Sequence, residues 1–231
     1  KLFTLSKKML SKVFNLGFPS ALQMFFEVAI FTAAIWLSGV LGKNPQAANQ
    51  IALNLSSMTF MVAMGFGVAA MVRVGNQKGL KRFDELRRIA FSIFLLSTIL
   101  AVIFAILFFI FHKSLPSLYL NYDNPIEALD NLEVASTAAT LLLIAAVFQI
   151  SDTIQVVTIG ALRGMQDVKL PTLITFVAYW VVGFPVMYYL GLHTSYSSAG
   201  IWIGLLAGLT VSGVLLSWRF HVLSKELIAS S

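Results

Sequence analysis

The sequence predicts an all-α polytopic membrane protein with six transmembrane helices. Three observations carry that prediction. The chain is 58% hydrophobic and only 11% charged, whereas soluble domains carry about 25% charged residues. Six apolar runs divide it, each holding at least the ~20 residues that a helix needs to cross a bilayer at ~1.5 Å rise per residue. When the runs are threaded back and forth, fourteen of the sixteen Lys and Arg fall on one side. The positive-inside rule makes that side cytoplasmic, and one missed or invented span would scramble the alternation.

Taken in order, residues 1–16 carry Lys1, Lys7, Lys8 and Lys12 and read as a cytoplasmic segment. The first span is 17–41, with Pro19 near its start, where a missing N–H costs little. "GKNP" at 42–45 turns the chain into the second span, 46–72. The basic stretch "RVGNQKGLKRFDELRR" at 73–88 follows and reads as a topology anchor facing acidic headgroups. The third span, 89–111, holds no charge at all. "LPSLYLNYDNP" at 115–125 breaks the pattern before the fourth span, 134–160. Arg163 and Lys169 mark a return to the basic side. The fifth span, 171–190, contains Pro185 and is expected to kink there. The sixth is 198–218, and residues 219–231 form a second cytoplasmic tail with Arg219 and Lys225. This topology leaves Asn44 and Asn124 outside. All six spans are rich in Gly, Ala, Ser and Thr, which let membrane helices approach closely.

The composition also excludes. With no cysteine, disulfides, thiol chemistry and Cys-ligated metals are absent. The formal charge of +6 is accounted for by topology, so it does not indicate nucleic-acid binding. His112, His193 and His221 sit at span ends without metal-ligand spacing. An intramembrane enzyme using two carboxylates as an acid–base pair would need a catalytic motif; H-E-x-x-H, G-x-S-x-G and G-x-G-D do not occur in the sequence. No cofactor is expected.

Only two charged side chains lie inside the spans, Glu27 and Asp152. A carboxylate at mid-helix costs ~2.5–3.5 kcal/mol on insertion scales, and such residues mark ion or substrate paths. Their depths agree. Glu27 lies ~15 Å and Asp152 ~16 Å from the cytoplasmic ends of their helices, both near the midplane. Each has polar neighbours on its own helical face: Gln23 at i−4 from Glu27, and Gln149 and Gln155 flanking Asp152 at i±3. The second span adds Gln50, Asn54 and Ser57 at i, i+4, i+7. Converging stripes would form an oxygen-rich cavity able to hold Na+ at Glu27 and Asp152, or protons. Met24, Met58, Met61, Tyr179 and Trp180 are candidates for contacting a lipophilic cationic cargo, since thioethers and aromatic faces suit one.

These residues resemble the multidrug and toxic compound extrusion (MATE) family. Gly17, Pro19, Gln23 and Glu27 are similar to its "G-x-P…Q…E" helix, and "GVLGKNPQAANQIALN" to its "G-x-L-G…A-A-x-Q-I…N" passage. "RVGNQKG" at 73–79 resembles the family's R-V-G-x-x-x-G stretch. "SDTIQVVTIGALRGMQDVKLP" resembles "D-x-x-Q…G-x-L-R-G-x-x-D…P", the most specific of these, and "AGIWIGLLAGL" matches near the last helix. The chain departs at Ala63 and Met64, before Gly65, where the family often has proline. The resemblance implies the C-terminal six-helix lobe of a twelve-helix transporter, whose partner is an N-terminal six-helix lobe of the same protein. It implies a Na+- or H+-coupled antiporter in the plasma (inner) membrane, with both termini cytoplasmic, exporting small-molecule organic cations, drugs or metabolites. Glu27 and Asp152 then match the family's coupling carboxylates. A lipid-linked-precursor flippase shares this architecture, but needs a lipid-sized cationic groove, and no Lys or Arg falls inside the spans.

Overall fold

A computed structural model describes residues 6–121 and 128–230; Lys1 and Asn124 lie outside the described residues. The six expected spans are all present. They are α1 (Lys7–Leu41), α2 (Lys43–Gly79), α3 (Phe83–Phe111), α4 (Ala128–Gly164), a fifth span from Lys169 to Leu192, and α7 (Ser197–Ala229). The fifth comprises α5 (Lys169–Phe176), a π-helical segment (Val177–Gly183) and α6 (Phe184–Leu192). The chain is a polytopic membrane protein with an all-α fold.

The helices outrun the spans. α1 begins ten residues before Gly17, so residues 7–16 are helical, and Pro19 lies inside the helix rather than near its start. A proline there leaves the i−4 carbonyl without its helical donor. The Pro19 carbonyl itself accepts a hydrogen bond from the Thr172 hydroxyl of α5 at 2.8 Å, which ties the first and fifth spans together. α7 likewise continues through most of the tail at 219–231. The disturbance expected at Pro185 takes the form of the π segment immediately before it. Proline at 185 cannot donate to residue 181 and its ring crowds that carbonyl; an i→i+5 register widens the turn that receives it.

Close packing follows the glycines. Gly200, Gly204 and Gly208 recur every fourth residue, so they form one stripe on α7. A methyl at Gly200 would strike the Leu190 carbonyl, one at Gly204 the Met187 backbone, and one at Gly208 would come within 3.2 Å of Gly183 Cα. α4 meets α2 the same way: a methyl at Gly160 would enter the Gly67 carbonyl, and one at Gly164 the Met71 carbonyl. The α2–α4 pair is the most extensive helix contact, and α4–α7 the next. α4 is therefore the central helix.

The apolar core is in two pieces. One gathers Ile30, Leu37, Leu55, Leu141, Phe148, Trp202 and Leu209. The other gathers Val74, Leu86, Val157, Leu162, Leu216 and Phe220 at the basic end. Between them, α4 passes through Gln149, Asp152, Thr153 and Gln155, all buried, and α7 through buried Ser212. A polar layer thus divides the bundle at mid-height.

Both ends are tied by polar contacts. At the basic end Arg219 Nε donates to Asp167 Oδ2 at 2.7 Å, Lys78 Nζ donates to the Met165 carbonyl, and Arg87 meets His221 at 3.2 Å. At the opposite end Asn44 Nδ2 donates to Glu133 at 2.7 Å, and Lys43 lies 3.8 Å from Asp130.

Candidate functional site

α1 and α4 bring the two span carboxylates together. Glu27 and Asp152 line one pocket of about 300 Å³ with Met24, Phe31, Ser56 and Phe148. Its walls are largely hydrocarbon, and its polar groups are the two carboxyls and the hydroxyls of Ser56 and Ser57. Asp152 is 4% exposed, and its Oδ1 is buried without a hydrogen-bond partner. Glu27 is half-buried at the mouth. The two carboxyls are within electrostatic reach of one another, and Tyr179 within reach of both.

The neighbouring amides complete the layer. Gln149 and Gln155 flank Asp152 by one helical step on either side, and both are buried. Gln155 Nε2 donates to the Tyr179 hydroxyl at 2.8 Å, which leaves Gln155 Oε1 unpartnered; both amide atoms of Gln149 are also unpartnered, as is Ser56 Oγ. Leaving a buried polar atom unpaired costs about 1–3 kcal/mol. Gln149 Oε1, Gln155 Oε1 and Ser56 Oγ are thus buried oxygens without a partner near Asp152, although neither glutamine lines the pocket itself. Oxygen donors of this kind suit hard cations, so the residues fit Na+ or a proton. No cluster of three or more His, Cys, Asp or Glu occurs among the described residues.

Three expectations are corrected. The first concerns the polar stripe of the second span. Gln50 and Asn54 are exposed, and Asn54 Oδ1 accepts from the Tyr119 hydroxyl at 2.9 Å. α2 turns its small-residue face inward instead (Ala52, Ser56, Ala63, Gly67 and Ala70), and that face is what permits close contact with α4. Of the expected stripe only Ser57 reaches the pocket. The second concerns Gln23. It shares a face with Glu27 but is held elsewhere, donating to Thr175 Oγ1 at 3.0 Å and accepting from Arg163 Nη2 at 3.2 Å. The third concerns the cargo-facing residues. Met24 lines the pocket, and Met58 and Met61 are exposed on α2 outside it, so the three methionines stay accessible, but the two aromatic rings are less so. Tyr179 is fully buried and bonded to Gln155, and Trp180 stacks on Phe184 at 5.6 Å.

One side chain beside the carboxylates was not singled out by the sequence. Arg163 reads from the sequence as a cation beyond the fourth span. In the structure it turns inward from the end of α4 and lines a second pocket of about 100 Å³ with Glu27, Met24, Phe60, Met64 and Gly160. That pocket shares Met24, Glu27 and Phe60 with the first. The two pockets adjoin as a trough through these shared residues, Asp152 lining the first, Arg163 the second and Glu27 both. The signal available in the sequence was its spacing: Arg163 lies eleven residues, or three helical turns, from Asp152 and so on the same face.

A family profile described as MatE matches residues 19–189. The chain is 39% identical over 222 residues to "Multidrug resistance protein NorM" of Burkholderia vietnamiensis, covering 96% of this chain and 47% of that protein. It is 36% identical to "Multidrug resistance protein MdtK" of Proteus mirabilis over 94% of this chain and 46% of that one. Among solved structures, the eukaryotic MATE transporter AtDTX14 superposes with a TM-score of 0.81 at 21% identity, covering 97% of this chain and 50% of that one. A MATE structure in complex with MaD3S gives 0.86 at 15% identity, covering 98% and 48%. These structures show the same fold. The chain spans about half the length of the curated relatives it matches.

Proposed function

Since the chain belongs to the MatE family, we propose that it is the C-terminal six-helix lobe of a cation-coupled antiporter. The exported cargo is an organic cation, drug or metabolite, and the driving cation is Na+ or H+. Glu27 and Asp152 hold that cation, with Gln149, Gln155 and Ser56 supplying neutral oxygens. The observation that supports this most is the meeting of the two carboxyls, from helices 125 residues apart in sequence, in one pocket at the polar layer. The lobe works in the plasma (inner) membrane with its basic end in the cytoplasm.

Coupling needs loaded and empty sites to favour different conformations. In this lobe the polar layer separates two apolar cores, so filling or emptying it acts at the level where the two halves of the bundle join. The exposed face of α1 and α2, with Met24, Phe25, Met58 and Met61 each more than half exposed, is the surface offered to an N-terminal lobe. The cargo path runs between the two.

The test is reconstitution. Residues 1–231 alone should give no gradient-driven efflux of a fluorescent organic cation such as ethidium. Co-expression with an N-terminal six-helix half should restore part of it. Full efflux from the isolated segment as a monomer would refute the half-transporter reading.

A further inference from the structure

Arg163 is half-buried, its Nη2 is spent on the neutral amide of Gln23, and its Nε is buried without a partner. Long cationic side chains at helix ends normally extend outward to headgroups. This one turns into the trough that Glu27 lines. Glu27 stands one helical turn beyond Gln23 on the same face, because the two are i, i+4. Gln23 is itself fixed by Thr175 at 3.0 Å. The described ion pairs are Lys43–Asp130, Arg88–Glu85 and Arg219–Asp167. Arg163 is thus held beside Glu27, within electrostatic reach of it, while its hydrogen bond goes to the amide next door.

Resting on the proposed coupling role of Glu27, we propose that Arg163 is a tethered counter-cation that competes with the driving cation for the Glu27 carboxylate. Glu27 sits where the two pockets join. Turned toward Asp152, it shares the driving cation. Turned toward Arg163, it meets a guanidinium already partly desolvated, with its buried Nε–H uncommitted. A carboxylate left unpaired in a site shielded from water is costly. A resident guanidinium lets the driving cation leave without that penalty. Gln23 tunes the competition, because its Oε1 holds Arg163 back.

Two substitutions then act with opposite sign. Arg163→Gln removes the competitor and tightens binding of the driving cation. Gln23→Leu frees the guanidinium to pair with Glu27 and weakens it. Even beyond ion-pair distance, two unit charges in a partly shielded site interact strongly enough to change occupancy about tenfold. Arg163 acts through Glu27 and is a positioning residue. Loss of packing alone could account for weakened binding, but not for tightened binding.

The experiment uses the full-length protein, both lobes included, in proteoliposomes. The half-saturating concentration of the driving cation is measured for ethidium efflux in a Na+ series at fixed pH and in a pH series without Na+. The charged or titratable groups around Glu27 are Asp152, Tyr179 and Arg163, and all but the substituted one are kept. Binding of the cation alone is read in parallel by calorimetry. Arg163→Gln should lower the half-saturating concentration about tenfold, Arg163→Lys should stay near wild type, and Gln23→Leu should raise it. An unchanged or raised value in Arg163→Gln overturns the competition, as does a lowered value in Gln23→Leu. If Arg163→Gln does not fold, Arg163→Met, which also removes the charge and keeps a long side chain, decides by the same sign. If wild type shows no cation dependence, or Glu27→Gln keeps all of it, the coupling role of Glu27 fails and the competition with it.

Discussion

Gly160→Ala adds one carbon where the structure has no room for it. The new Cβ would enter the Gly67 carbonyl, with Gly67 C and Cα also closer than any ordinary contact, at 2.7 and 2.9 Å. The obstacle is backbone, which no rotamer change can clear. Relief requires α2 and α4 to separate, and these form the most extensive helix pair in the bundle. Overpacking of this kind costs about 1–3 kcal/mol. Alanine's better helix propensity, up to ~1 kcal/mol over glycine, offsets part of that. Gly65→Ala is the matched control, because nothing lies within 4 Å of a Cβ there. It gains the propensity without the clash. The assay is apparent Tm in detergent, read as the fraction still eluting at the native volume after heating. Gly160→Ala should melt well below wild type, and Gly65→Ala at or above it. Both Gly160 and Gly67 line the Arg163 end of the trough, so Gly160→Ala should also slow efflux. Equal melting of the two variants would refute the close α2–α4 approach, and with it the geometry that shapes the trough.

Two further outcomes are expected. This segment has no cysteine, so single replacements report topology cleanly: with a membrane-impermeant thiol reagent on intact cells, Asn44→Cys should label and Lys78→Cys should not. Labelling of Lys78→Cys from outside would invert the assigned orientation. Asp167→Asn should weaken the 2.7 Å contact with Arg219, whose partners are largely shielded. It should lower stability by about 1 kcal/mol, read from the same heating assay, while leaving cation dependence unchanged; a changed cation dependence would extend the coupling network to the basic end.

The six spans and the meeting of Glu27 with Asp152 were legible from sequence because each rests on a strong signal. Apolar length fixes the spans, and an ionised group in an apolar run is costly enough to stand out. Matching depths along two rigid helices then bring the carboxyls to one level. Helix ends were less legible. Apolar length marks where hydrocarbon stops rather than where helix stops, so α1 and α7 run on through polar sequence. The error on α2 has a physical source. Gln50, Asn54 and Ser57 share a face by spacing, but so do Ala52, Ser56, Ala63, Gly67 and Ala70, and in a membrane close packing of small residues decides which face turns inward. Arg163 was missed because a cation at a helix end reads as an anchor; that it turns inward depends on Gln23, 140 residues away, which pattern along one helix does not reveal.

Asp152→Asn in the full-length protein is the most direct test of the paired-carboxyl site. Asparagine keeps the shape and removes the exchangeable charge. Efflux driven by an imposed cation gradient in proteoliposomes should be abolished, with expression and elution volume unchanged. Glu27→Gln should behave alike, and the double variant should cost little more than either single change, because groups acting as one unit do not add. Wild-type coupling in Asp152→Asn would return this buried carboxyl to a packing role and leave the pocket without its cation.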